Sequence, residues 1–284
     1  MAKITRIIVI VSIVATSGFA QRKAKDMCGD FVSQIFEEEI TGGKRTKDDE
    51  FPHMAALGFG SLNRPVWLCG GTLISDQFVL TAAHCTHLRQ VGPVRIVRLG
   101  TKTLNPRRGQ RYTDVRVTET INHPDYNPPS SYNDIALLKL QRKVQFSRNI
   151  LPACLNNAFN VNLATKTLLA LGWGKMDFAG PTSNDLLKAE LRVVSNRECK
   201  RSYRGSSRNK LPEGVKEERQ LCAGDDVQDT CQGDSGGPLE YKNGRFHYIV
   251  GITSFGKACG ISNDPGVYTR VSAFIPWIES EVWP

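Results

Sequence analysis

From about residue 51 onward the chain keeps returning to one pattern. Short stretches rich in Val, Ile, Leu and Thr are separated by Gly, Pro, Asn and Asp. Examples are Gly71-Thr72-Leu73-Ile74, Phe78-Val79-Leu80, Arg95-Ile96-Val97-Arg98-Leu99, Val115-Arg116-Val117 and Ile135-Ala136-Leu137-Leu138. Later ones are Thr167 to Leu171, Tyr248 to Ile252 and Gly266 to Val271. Their length and punctuation favour strands. Many short strands without alternating helical patterns predict an all-β sandwich or barrels. At 284 residues the chain suits one large all-β domain or two ordinary ones. One segment departs from the pattern. In Ser272 to Trp283, the apolar Phe274, Ile275, Trp277, Ile278 and Val282 fall near helical spacing, which predicts a terminal helix. With 40% hydrophobic and 23% charged residues the composition is that of a globule, which excludes a disordered tail, a collagen and a coiled coil. No internal repeat or low-complexity tract is visible.

The N-terminus reads as a secretory signal over residues 1–20. Lys3 and Arg6 form a positive start, Ile7 to Ala15 an apolar run, and Gly18 and Ala20 supply small residues for a cleavage after Ala20. An uncleaved anchor is the alternative, disfavoured because the run falls short of about 18 residues. A secreted, extracellular chain is expected, in which the 8 cysteines meet an oxidising environment. No Asn-x-Ser/Thr sequon occurs. Residues 21–39 differ from the strand-rich region beyond them: they are polar, end in Glu37-Glu38-Glu39 and hold one cysteine, Cys28. The net charge of +9 permits weak attraction to acidic polymers but does not decide the fold. Neither nucleic acid nor membrane is expected as a partner.

Three local constellations carry chemistry. The first is Leu80-Thr81-Ala82-Ala83-His84-Cys85; most lone histidines are structural, so alone it is weak. In Asn133-Asp134-Ile135-Ala136-Leu137-Leu138 an acid precedes an apolar strand, where a turn or cap role is common. In Gly233-Asp234-Ser235-Gly236-Gly237-Pro238, glycines on both sides of a serine expose its hydroxyl and the nearby N–H groups. Together the three meet the needs of nucleophilic acyl transfer. A serine hydroxyl needs a base. A histidine near its unperturbed pKa is that base at neutral pH. A carboxylate then holds the imidazole tautomer.

With these motifs in this order, the chain resembles the trypsin/chymotrypsin family of serine proteases from about residue 40 to its end. The resemblance implies two antiparallel Greek-key β-barrels with a C-terminal α-helix and a catalytic domain over residues 40–284. It implies His84 as general base, Asp134 as orienting acid and Ser235 as nucleophile, with the N–H groups of Gly233 and Ser235 as the oxyanion hole. It implies the disulfides Cys69–Cys85, Cys199–Cys222 and Cys231–Cys259. A Cys28–Cys154 bond resembles the tether that holds a propeptide, here residues 21–39, to the catalytic domain. Spacing alone cannot deduce that connectivity.

Substrate preference rests on the same resemblance. Asp229, six residues before Ser235, corresponds to the base of the primary pocket. Ser254-Phe255-Gly256 and Gly266 correspond to its walls. A carboxylate at the end of a slot selects Arg or Lys, because a cation offsets its desolvation. Family members become active when cleavage frees an Ile amine that pairs with the acid beside the nucleophile; here these would be Ile40 and Asp234. Glu39 precedes that bond where members usually carry Arg or Lys, so an activator other than trypsin is expected. The loop that binds calcium in trypsins corresponds to Thr103 to Gln110, which has no carboxylate, so no calcium is expected there. Pro265 argues against a sodium switch. No metal and no cofactor is expected. Phe51-Pro52-His53-Met54-Ala55-Ala56-Leu57-Gly58 resembles the start of the catalytic domain in arthropod clip-domain proteases, yet only Cys28 lies upstream to build a clip module. His53, His87, His123 and His247 carry no motif and read as surface or packing residues.

The leading reading is a monomeric secreted endopeptidase cleaving after Arg or Lys and made as a zymogen. Its partners are protein or peptide substrates, an activating protease and protein inhibitors. The alternative is a non-catalytic serine protease homologue acting as a binding cofactor in an extracellular cascade. A third reading is binding of acidic glycans through Arg107-Arg108 and Arg201 to Arg208, although charge runs are more often solvated faces.

Overall fold

The computed structural model describes residues 24, 27–29, 50–156, 161–175, 181–206, 209–225, 233–256 and 264–284. Two closed six-stranded antiparallel β-barrels succeed each other along the chain. The first holds β1 (Met54–Ser61), β2 (Arg64–Leu73), β3 (Phe78–Thr81), β5 (Gly92–Leu99), β6 (Thr113–Asn122) and β7 (Ala136–Leu140), with the two-residue β4 (His87–Leu88) appended to β5. Its strands run β1-β2-β3-β7-β6-β5, and β1–β5 pairing closes the ring. The second holds β9 (Leu168–Gly172), β10 (Leu187–Val194), β11 (Gln220–Gly224), β12 (Pro238–Asn243), β13 (Phe246–Phe255) and β14 (Gly266–Arg270). Its order is β12-β9-β10-β11-β14-β13, closed by β12–β13, and the two-residue β8 (Cys154–Leu155) adds parallel to β13. Counted within each barrel, the six strands take the same cyclic order, so one topology occurs twice.

The apolar stretches read from the sequence line the barrel interiors. Leu57, Leu73, Leu80, Leu99, Leu137 and Leu138 are almost wholly buried in the first barrel. Leu168, Leu191, Leu239, Val250 and Tyr268 fill the second. Each such side chain contributes about 1.5–3 kcal/mol by leaving water. A C-terminal helix spans Ile275–Val282, with Pro276 in its first turn, where a missing N–H is harmless. Ile275, Ile278 and Val282 form its buried stripe and pack with the core of the first barrel. Glu279 on the same helix is buried and accepts the Ala24 N–H at 2.9 Å. A second helix, Asn196–Ser202, is capped by the Ser195 hydroxyl and buries Cys199.

Three disulfides join the described residues: Cys28–Cys154, Cys69–Cys85 and Cys199–Cys222, with Cα separations of 5.2, 6.1 and 6.1 Å. These are three of the four pairings implied by resemblance; Cys231 and Cys259 lie outside the described residues. Among the described residues no helix is long and apolar enough to cross a membrane.

Candidate active site

The site lies where the barrels meet. β3 is buried along its whole length and runs into a short 3-10 turn, Ala83–Cys85. The Cys69–Cys85 bond ties that turn to β2, and the Thr86 hydroxyl donates to the Ala83 carbonyl. The turn holds His84 with its side chain 31% exposed.

Asp134 comes from the loop ahead of β7. Asn133 before it has φ +53, a left-handed conformation that asparagine tolerates well, and its amide donates to the Asp125 carbonyl. That turn sends the Asp134 carboxylate inward. One oxygen, Oδ1, accepts the His84 backbone N–H at 2.9 Å. The other, Oδ2, lies 2.7 Å from His84 Nδ1 and accepts the Ser254 hydroxyl at 2.5 Å. The Asp134 carbonyl accepts the Thr269 hydroxyl. Burial alone would raise the Asp134 pKa; the charge and hydrogen bonds of His84, with the Ser254 bond, outweigh it and hold the carboxyl below its ordinary value. Burial alone would lower His84, but the Asp134 carboxylate prevails and holds it above 6.5. Tyr126 nearby is pushed up to about 12, first by burial and then by the Asp134 charge. The arrangement keeps a proton on Nδ1 and leaves Nε2, which lies 3.6 Å from Cys85 Sγ, as the nitrogen that takes one.

Ser235 sits in a turn fixed from several sides. Gly70 of β2 donates its N–H to the Ser235 carbonyl at 2.8 Å. Gly236 donates to the Thr253 carbonyl, Thr253 to the Gly237 carbonyl, and Gly237 to the Asp234 carbonyl. The Asp234 carboxylate accepts the Gly174 N–H at 2.8 Å. Gly236 has φ +77, and a Cβ there would come 2.6 Å from the Gly70 carbonyl and 3.2 Å from Cys85 Sγ, so only glycine fits. This packing sets Gly236, the residue after Ser235, against the disulfide that flanks His84. Among the described residues, the N–H groups of Gly233 and Ser235 donate to no backbone carbonyl.

The sequence-derived wall residues fall on β13 and β14. Phe255 pairs with Val267, so Gly256 and Gly266 lie at the same end of neighbouring strands. The Phe255 ring meets Tyr203 edge-on at 5.6 Å, and the Tyr203 hydroxyl donates to the Pro265 carbonyl. Ser254 is placed differently from a simple wall residue, since its hydroxyl is spent on Asp134. Asp229 and Ile40 lie outside the described residues.

Two contacts escaped the sequence reading. Gly174 on Asp234 has no local signal beyond its place after a strand. The other is a cluster of His53, Glu240 and His247, all buried. A glutamate inside the apolar run Pro238-Leu239-Glu240-Tyr241 was the one visible hint of it.

A family model described as Trypsin matches residues 40–278. Among curated proteins, Serine protease snk of Drosophila melanogaster is 44% identical over 250 residues, covering 84% of this chain and 56% of its own length. Venom serine protease Bi-VSP of Bombus ignitus is 37% identical over 257 residues, with 87% and 69% covered. Melanization protease 1 of Drosophila melanogaster is 40% identical over 273 residues, with 87% and 66% covered. The chain thus spans little more than half the length of snk.

Proposed function

The chain belongs to the trypsin family of serine proteases, and from that premise we propose that it is a secreted endopeptidase that cleaves after Arg or Lys. The observation that carries the reading is the buried Asp134 carboxylate, which holds His84 through both its backbone N–H and its ring. In this reading His84 Nε2 takes the Ser235 proton as Oγ attacks the substrate carbonyl. Asp134 stabilises the imidazolium that forms. The N–H groups of Gly233 and Ser235 receive the oxyanion, each such donor being worth about a hundred- to a thousandfold in rate. His84 then gives its proton to the leaving amine, and water repeats the cycle on the acyl-enzyme. Asp229 supplies the negative charge that selects a cationic side chain.

Residues 1–20 act as a signal and residues 21–39 as a propeptide that stays tethered through Cys28–Cys154. Cleavage between Glu39 and Ile40 frees the amine that pairs with Asp234. A trypsin-like activator, with an acidic pocket, rejects Glu39 by charge repulsion. The activator therefore accepts an acidic or unselective residue.

A fluorophosphonate probe tests the chemistry. The active form is expected to label at Ser235, and Ser235→Ala to abolish both labelling and amidolysis while the fold persists. Activity surviving in Ser235→Ala would remove the serine from its role. The same experiment addresses the non-catalytic homologue, which the acidic residue before Ile40 favours: material cut at Ile40 that still fails to label is a binding protein.

A further inference from the structure

Away from Ser235, three side chains from both barrels converge on one buried point. His53 precedes β1 and belongs to the first barrel, where its carbonyl accepts the Leu73 N–H. Glu240 lies on β12 and His247 on β13, partners in the hairpin of the second barrel. Their relative exposures are 1%, 0% and 8%. His53 Nε2 lies 2.7 Å from Glu240 Oε2, and His247 Nδ1 lies 2.7 Å from Glu240 Oε1. The imidazole centroids are 4.8 Å apart, and Phe51 meets both rings edge-on.

The two close approaches are unequal. The His247–Glu240 contact is a hydrogen bond. The His53–Glu240 contact is a close ion-pair approach at 2.7 Å that falls short of good hydrogen-bond alignment, and neither His53 Nε2 nor Glu240 Oε2 has a second partner among the described residues. A poorly aligned contact between buried polar atoms forfeits part of what a good hydrogen bond would return, and leaves both atoms able to take another partner. Burial pushes His53 down and favours its neutral form. Burial would raise Glu240, but the two imidazoles outweigh it and draw it down to about 2.

We propose that His53, Glu240 and His247 form a zinc(II) site that clamps the two barrels together. Two imidazoles and a carboxylate are a donor set suited to zinc, leaving one position for water. The ligand atoms all lie within 4.8 Å of one another. Ligands about 2.0–2.2 Å from a tetrahedral ion stand about 3.3 Å apart, so with one Glu240 oxygen bound its own 2.7 Å gap opens by roughly 0.6 Å, and the imidazole now facing the other oxygen turns onto the ion. Small ring rotations supply that. Phe51 also lines a surface cleft with Glu50, Pro52 and Lys188, so one aromatic ring stands between that cleft and the imidazoles. Among the described residues, the other grouping with metal-ligand atoms, Cys69, His84 and Cys85, has both its sulfurs in a disulfide. The clamp does not depend on the acyl-transfer chemistry.

The test uses the full chain, stripped with EDTA, dialysed against Zn2+ and assayed for bound metal, with Co2+ as a spectroscopic probe. One equivalent of zinc is expected in the native chain and in His84→Ala, and none in Glu240→Gln or His247→Gln. Free Zn2+ at about a hundred times Kd should raise Tm by roughly 5–10 °C for a domain of this size. Cobalt should give the intense visible bands of a tetrahedral site, lost in the same two variants. Should the buried Glu240→Gln variant fail to fold, His247→Gln at the rim decides. Zinc retained in a folded His247→Gln variant overturns the site. So does a native chain that binds no zinc and shows no Tm shift.

Discussion

Asp134→Asn isolates the electrostatic core of the proposed mechanism, since it keeps the side chain's shape and removes its charge. The geometry implies two losses. The first is the attraction between carboxylate and imidazolium as the proton arrives. With charge centres about 4 Å apart and an effective dielectric near 20, it is about 4 kcal/mol. The second is tautomeric. Oδ1 accepts the His84 backbone N–H, while Oδ2 faces Nδ1 and the Ser254 hydroxyl. An asparagine that keeps its carbonyl on the backbone N–H must turn its NH2 toward Nδ1. The ring proton then moves to Nε2, where the base is needed. The opposite flip sets NH2 against the buried backbone N–H, at a cost of about 1–3 kcal/mol. Together the losses are on the order of 5 kcal/mol, a fall in kcat/KM of a thousand- to ten-thousandfold. The assay is hydrolysis of a chromogenic Arg peptide at pH 8, with circular dichroism to establish folding. A folded variant within tenfold of the native enzyme would refute the reasoning.

The same site sets further outcomes. Since Asp134 holds His84 above 6.5, kcat/KM should rise with pH through a midpoint above that value; a midpoint below 6 contradicts the pairing. The depressed pKa of Asp134 adds stability that is present above the unfolded carboxyl value and lost as pH falls through the folded one, so Asp134→Asn should flatten the acid limb of a stability–pH curve. Asp229→Ser should lose activity on Arg and Lys peptides by several orders of magnitude while the fold persists, and a native preference for aromatic residues in a peptide-library profile sinks the pocket assignment. If the proposed activation holds, Glu39→Arg should give a chain that trypsin activates, with a new terminus at Ile40 by terminal sequencing; equal activation of the unaltered chain by trypsin removes Glu39 as the barrier.

Whether an element is legible in the sequence depends on whether its signal is local. β3, β7 and β13 stand out because most of their apolar residues are consecutive, β5 because Val94, Ile96, Val97 and Leu99 recur between arginines, and the C-terminal helix because Ile275, Ile278 and Val282 share a stripe. β10, with Lys188, Glu190 and Arg192 turned outward, hides its one wholly buried residue, Leu191, among charges. The helix Asn196–Ser202 buries only Cys199, so it has no apolar period to detect. The repeated strand order leaves no trace in the residues, because pairing is a property of register and not of similarity between the two halves. His84, Asp134 and Ser235 are legible from their immediate neighbours. His53, Glu240 and His247 are not, because only barrel closure brings the start of β1 against the β12–β13 hairpin.

The backbone bond from Gly70 to Ser235 has a consequence for how the machine is built. Ser235 belongs to the second barrel by connectivity and is held by the first. Asp134 belongs to the first, yet its carboxylate and carbonyl take hydroxyls from Ser254 and Thr269 of the second. Each barrel alone is thus an unfinished half, like a protomer whose site is completed by its neighbour. Severed between β7 and β8 in a form also cleaved before Ile40, so that Cys28–Cys154 no longer joins them, the halves should be inert apart and active when mixed, with turnover at low concentration scaling as the product of the two. In the intact chain the connection between the barrels replaces that second-order encounter with a fixed effective concentration. The polypeptide behaves as an obligate heterodimer whose partners are never in short supply.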